Sequence, residues 1–173
     1  MRLYNKEKMN TNVIGDIGEM EVSIRLMESS LFMVFLLGGK VPAFDLLAEI
    51  LPNGNEMPYQ FLIQVKTTDE LTPYTINDHR LKTPVPDKKL NALIDRPLPT
   101  YVAGVDLNTN DVYIVPAFDR NVGYGGSIPT TFQLRKGNKA ANIIQLQRLK
   151  DDVINYWRGL NIDAYKPSFN SAL

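Results

Sequence analysis

Cysteine is absent from all 173 residues. No disulfide, thiolate-ligated metal or cysteine nucleophile is therefore available, and the reducing cytoplasm is the expected setting. Histidine occurs once, at His79, which excludes a histidine-rich metal site. Net charge is also missing: 19 basic and 19 acidic side chains cancel. That argues against a protein that binds nucleic acid through bulk positive charge, but it leaves room for a local basic patch. No long hydrophobic run occurs either. The apolar stretch 31–37 covers only seven residues, well short of the roughly 20 that a membrane-spanning helix needs. The first residues, Met1-Arg2-Leu3-Tyr4-Asn5-Lys6-Glu7-Lys8, lack the apolar segment of a signal peptide. No membrane partner is expected. With no repeat or linker, and with 44% hydrophobic residues, residues 1–173 read as a single α/β domain with a real core, ending in a frayed tail over 167–173.

What is present starts with a helical period. Val13, Ile17, Met20, Ile24, Met27 and Leu31 recur every three or four residues, which predicts a helix with this stripe buried. Glu21, Arg25 and Glu28 fall on the opposite, solvated face, with Glu21 and Arg25 an i,i+4 pair. Glu19 lies inside the apolar half, where an unpaired carboxylate is expensive, and Gly15 and Gly18 beside it would let a backbone or ligand approach closely. Glu19 as a first-turn cap, or as the partner of a core lysine, is an equally open reading. The run 31–37 reads as a central strand buried on both faces, followed by a Gly38-Gly39 turn.

Two strands follow, Phe44 to Ile50 and the run Phe61-Leu62-Ile63-Gln64-Val65-Lys66, joined by a segment containing Asn53-Gly54, a pair suited to reversing the chain. Alternation along a strand points Gln64 and Lys66 the same way, and the hairpin brings Asp45 near them. A carboxylate, a side-chain carbonyl and a lysine on one sheet face suit a divalent cation and a phosphate, because Mg²⁺ takes oxygen ligands and lysine supplies a compact positive charge. Taken alone, Gln-x-Lys on a strand is usually a solvated face; the buried run before it, Asp45 and the oddly placed Glu19 argue otherwise. Beyond it the sequence predicts a short strand near Tyr74-Thr75-Ile76 and a helix from Lys88 to Ile94 capped by Asp87. A second hairpin spans Thr100 to Val115, and a helix from Ala140 to Arg158 has Ile143, Leu146, Leu149, Val153, Trp157 and Leu160 on or near its inner face.

The residues Gly15-Asp16-Ile17-Gly18-Glu19, Asp45 and Gln64-Val65-Lys66 resemble, in order and spacing, the PD-(D/E)xK nuclease superfamily. The likeness is greatest to a bacterial nuclease-like domain family of unknown function with a Gly-x-x-Gly-Glu helix and a Gln-Val-Lys strand. The close match covers residues 15–68, and the second hairpin around Val105-Asp106 fits loosely. The resemblance implies a restriction-endonuclease-like mixed sheet flanked by helices, and Mg²⁺- or Mn²⁺-dependent hydrolysis of phosphodiester bonds, with DNA as partner and a role in defence, restriction or repair. It assigns Asp45, the Gln64 side-chain oxygen and the Val65 backbone carbonyl to the metal. Lys66 would position or activate the attacking water and stabilise the charge developing at phosphorus. Glu19 would orient a metal-bound water or serve a second metal position. Where superfamily members commonly carry an acid, this chain has Gln64, which removes one negative charge and lowers metal affinity. The alternative is a catalytically inactive module binding nucleic acid or a protein partner.

Arg80, Lys82, Lys88 and Lys89, with His79, make a candidate phosphate-contacting patch, for which a plain charged surface is an equal reading. Gly123-Tyr124-Gly125-Gly126 lacks the lysine and Ser/Thr of a P-loop and reads as a mobile connection. Asp106 and Asp111 flank a turn, where aspartate is common for backbone reasons, and Ser29-Ser30 has no histidine nearby in sequence. Enzymes that cut both strands often pair, so a homodimer through the second hairpin or the C-terminal helix is a further expectation.

Overall fold

The computed structural model describes residues 10–38, 43–52, 58–77, 79–117 and 127–160. The Asn53-Gly54 reversal, the glycine loop at 123–126 and the 167–173 tail lie outside these residues. Helix α1 (Thr11–Met27) opens the described chain; the Asn10 side chain caps it by accepting from Asn12 N–H at 2.9 Å. Strands β1 (Phe32–Leu36), β2 (Leu46–Ile50) and β3 (Gln60–Thr68) follow, then helix α2 (Asp87–Ile94), strands β4 (Thr100–Asp106), β5 (Asp111–Pro116) and β6 (Gln133–Leu134), and helix α3 (Lys139–Gly159). The strands form one sheet in sequence order, β1-β2-β3-β4-β5-β6. Only β3 and β4 are parallel, and their crossover carries α2, as a parallel connection requires. The chain is thus a mixed α/β single-sheet protein. Among the described residues no helix is long and apolar enough to cross a membrane.

Alternation splits the sheet residues between two cores. Phe61, Ile63, Val65 and Ala103 pack with Val22 and Leu26 of α1 and Leu146, Leu149 and Val153 of α3. Leu62, Val102, Tyr113 and Val115 form the other core, with Leu93 of α2 and with Leu81, Val85 and Ile128 from irregular segments. Both expected hairpins are present as antiparallel pairs, β2 with β3 and β4 with β5. The expected strand near Tyr74 is reduced to one bridge, Tyr74 to Leu81, and β6 was not anticipated.

Three expectations are corrected. The buried face of α1 is Ile14, Gly18, Val22 and Leu26, with Ser23 and Arg25 also buried, while Val13, Met20, Ile24 and Met27 are exposed, Met20 by 54%. The helix turns Gly18 inward because β3 runs so close that a Cβ there would collide with Thr67 Oγ1 and come within 2.9 Å of Thr67 Cβ. Arg25 accordingly goes under: its guanidinium is 3% exposed and bonds Glu21 at 2.9 Å, with Glu28 3.9 Å away. The second correction concerns β1, which pairs with β2 alone and ends the sheet. Phe32 is buried, but Met33, Phe35 and Leu36 are exposed, so the strand has one partner and one covered face. On α3, Leu146, Leu149 and Val153 face inward as expected, whereas Ile143 and Leu160 are exposed.

Candidate active site

The site forms where β2 stops short of β3. The last paired residue of β2 is Leu46, opposite Ile63, so Asp45 sits just outside the ladder while its own N–H still reaches Ile63 C=O at 2.9 Å. Beyond that point the β2 side of β3 has no strand partner, and the Asp45 carboxylate takes its place. Asp45 Oδ2 accepts from Val65 N–H at 2.7 Å and from Gln64 Nε2. The same amide nitrogen reaches Val65 C=O at 3.2 Å. Gln64 and Asp45 therefore share one sheet face, and Lys66, two residues on, lies on it too.

Glu19, Asp45, Gln64, Val65 and Lys66 line one cleft of about 640 Å³, floored by β3 and walled by α1. Lys89 of α2 joins them, as do Asp16 on α1 and Asp69 and Glu70 just after β3. The other members of the sequence patch lie elsewhere. Arg80 donates from Nε and Nη2 to the Ser127 hydroxyl and carbonyl, both at 2.9 Å, Lys82 Nζ bonds Thr72 C=O at 3.0 Å, and Lys88 is exposed away from the cleft lining. Asp16, Asp69 and Glu70 are acids that sequence reasoning passed over. For Asp16, the i,i+3 spacing to Glu19, which puts both on one side of α1, was the available signal.

Electrostatics in the cleft are arranged for ions. Burial raises the Glu19 carboxyl above its ordinary value, and the charges of Asp45 and then Asp16 raise it further. Lys66 is lowered, first by burial and then by the Lys89 ammonium beside it, with Asp45 pulling the other way. No ion pair joins Asp45 to Lys66; among the described residues the ion pairs are those of Arg25. The feature that structure alone does not account for is Gln64, 2% exposed, whose Oε1 has no hydrogen-bond partner among the described residues. A buried carbonyl oxygen left alone costs about 1–3 kcal/mol.

These donors fit a hard divalent cation: the carboxylates of Asp45 and Glu19, the free Gln64 oxygen and the Val65 carbonyl are all oxygen ligands. The described residues contain no group of three His, Cys, Asp or Glu side chains placed to hold a metal, so such a site depends on the amide and carbonyl oxygens. Comparison with family models, curated proteins and solved structures finds no match to this chain. Its function has to be read from its own residues.

Proposed function

We propose that the chain is a divalent-cation-dependent nuclease of restriction-endonuclease-like architecture, acting on DNA in the cytoplasm. The observation that carries the reading is Gln64, whose Nε2 bonds Asp45 and whose buried Oε1 has no hydrogen-bond partner among the described residues, on the lining of a cleft that also holds Glu19 and Lys66. The Asp45 carboxylate and the amide oxygen are both acceptors that a cation would satisfy. Mg²⁺ or Mn²⁺ held there would supply Lewis-acid polarisation of the scissile phosphate. Asp45 is fixed for this by Val65 N–H, and Glu19, raised above an ordinary carboxyl, orients the attacking water from the α1 wall. Lys66 lines the same space and makes no ion pair among the described residues, so its positive charge is available for the charge that develops on the phosphate oxygens. Helix, antiparallel strands and a parallel β3/β4 crossover also agree with that architecture.

The experiment is cleavage of supercoiled plasmid and of single strands with Mg²⁺ or Mn²⁺. Lys66→Gln is expected to lower the rate by about 10²-fold or more, the scale for removing one group that stabilises transition-state charge. Its melting temperature should hold, since no ion pair is broken. Asp45→Asn keeps an acceptor for Val65 N–H and should lose cation-dependent cleavage. A wild type that cuts no nucleic acid with either metal defeats the proposal. The inactive binding module would then stand, a reading favoured by the missing three-acid cluster.

A further inference from the structure

Lys66 of β3, half-buried, and Lys89 in the first turn of α2, exposed, line the same cleft. Neither makes an ion pair among the described residues. Two ammonium groups on one cleft can meet a single anion together, each through a charge-assisted contact. At the start of α2, Asp87 suits the positive end of the helix while Lys88 and Lys89 do not, and the N-cap residue, Pro86, provides no side-chain hydrogen bond. Gln64 lines the same cleft, and its buried Oε1, with no partner among the described residues, suits an adjoining cation.

We propose that Lys89 is a substrate-binding residue that grips, together with Lys66, a phosphate of the nucleic-acid backbone; the identity of the anion rests on the nuclease reading. A phosphodiester carries one negative charge shared by two non-bridging oxygens, which the lysine pair can hold between them, while Asp45 and Gln64 would hold a cation in the same cleft. Of the four basic residues in the sequence patch, only Lys89 has this position. Arg80 and Lys82 are bonded to Ser127 and Thr72, and Lys88 lies outside the lining.

The test is binding of a duplex oligonucleotide, followed by fluorescence anisotropy with Ca²⁺ in place of Mg²⁺. Lys89→Ala is expected to weaken binding about tenfold and to reduce the slope of log affinity against log salt by about 1, the signature of one lost phosphate contact. Lys88→Ala should change binding less than about twofold. An oligonucleotide with uncharged methylphosphonate linkages should erase the difference between wild type and Lys89→Ala. Without ligand, Lys89→Ala should melt no lower than wild type, because Lys89 is exposed and makes no ion pair among the described residues; a purely structural lysine would show the reverse. Lys89→Ala binding as well as wild type, or Lys88→Ala losing as much, overturns the assignment, as does a wild type that binds no DNA. Lys89-dependent binding without any cleavage leaves the phosphate seat standing and removes the nuclease, whereas cleavage and binding both unimpaired in Lys89→Ala do the opposite.

Discussion

Gln64→Glu would put a second carboxylate against Asp45, and its effect can be bounded from the structure. Gln64 is 2% exposed and its Nε2 donates to Asp45 Oδ2. A second carboxylate in that place turns a hydrogen bond into a repulsion, worth about 4 kcal/mol for unit charges 4 Å apart at an effective dielectric constant of 20. The new residue has an escape, which is to stay protonated and donate O–H to Asp45 as the amide does. The loss at pH 7 then cannot exceed the cost of protonation, about 3.7 kcal/mol at 1.36 kcal/mol for each pH unit above an unperturbed glutamate at about 4.3. Both routes converge on a loss of about 3–4 kcal/mol, a large share of a typical 5–15 kcal/mol. The sign follows from linkage. A carboxyl whose folded pKa is raised costs nothing below its unfolded value and progressively more as pH rises toward the folded one. Urea unfolding in EDTA should therefore show the variant within about 1 kcal/mol of wild type at pH 5 and 3–4 kcal/mol below it at pH 7. Saturating Mg²⁺ should return most of that loss and stabilise the variant more than it stabilises wild type. A loss that is the same at both pH values, or one that Mg²⁺ does not repair, would refute the claim that Gln64 and Asp45 face a common cation site.

The remaining expectations concern α1. Gly18→Ala gains about 1 kcal/mol of helix propensity but drives a methyl group into Thr67, a collision with Cβ at 2.9 Å that no rotamer change removes. With overpacking at about 1–3 kcal/mol, urea midpoints should show a net loss, partly rescued by Thr67→Ala; a gain in stability would contradict the drawn contact. Glu19→Gln should flatten a pH dependence. The raised Glu19 carboxyl makes metal-free wild type lose stability as pH rises from the unfolded pKa through the higher folded one. Melting curves in EDTA between pH 4 and 8 should show that decline in wild type and not in the variant, and equal slopes would count against the crowding of Glu19 by Asp45 and Asp16.

Strand alternation made the centre of this site legible in the sequence. Gln64 and Lys66 had to share a face, and a hairpin between two apolar runs had to bring Asp45 alongside. Periodicity failed on α1 because the helix is apolar on two faces: Val13, Ile17, Met20, Ile24 and Met27 have helical spacing, and so do Ile14, Gly18, Val22 and Leu26. The first stripe has the bulkier residues, but the second has the glycine that lets β3 approach, and close packing at Thr67 decided between them. The run 31–37 looked like a central strand because hydrophobicity reports burial of side chains and not the number of strand neighbours; β1 has one. Lys89 was visible only as a basic residue in a patch. Its place opposite Lys66 depends on how the β3-to-β4 crossover lays α2 over the sheet, a long-range contact that no local pattern encodes.

The cleft is divided along β3. The α1 wall contributes Asp16 and Glu19, the α2 side contributes Lys89, and Asp45, Gln64 and Lys66 stand between them. Counting Asp69 and Glu70, five carboxylates against two ammonium groups give the lining a formal net charge of −3. On the proposed function, such a cleft would repel a phosphate until a cation neutralised the acidic wall. A cation and a phosphate would then favour each other's binding, and by linkage the affinity gained must be equal in both directions. A glutamine at 64 suits that exchange. A third acid beside Asp45 and Glu19 would tighten a cation bound there, but it would also add negative charge facing a phosphate, whereas an amide oxygen can serve as a ligand without adding to that barrier.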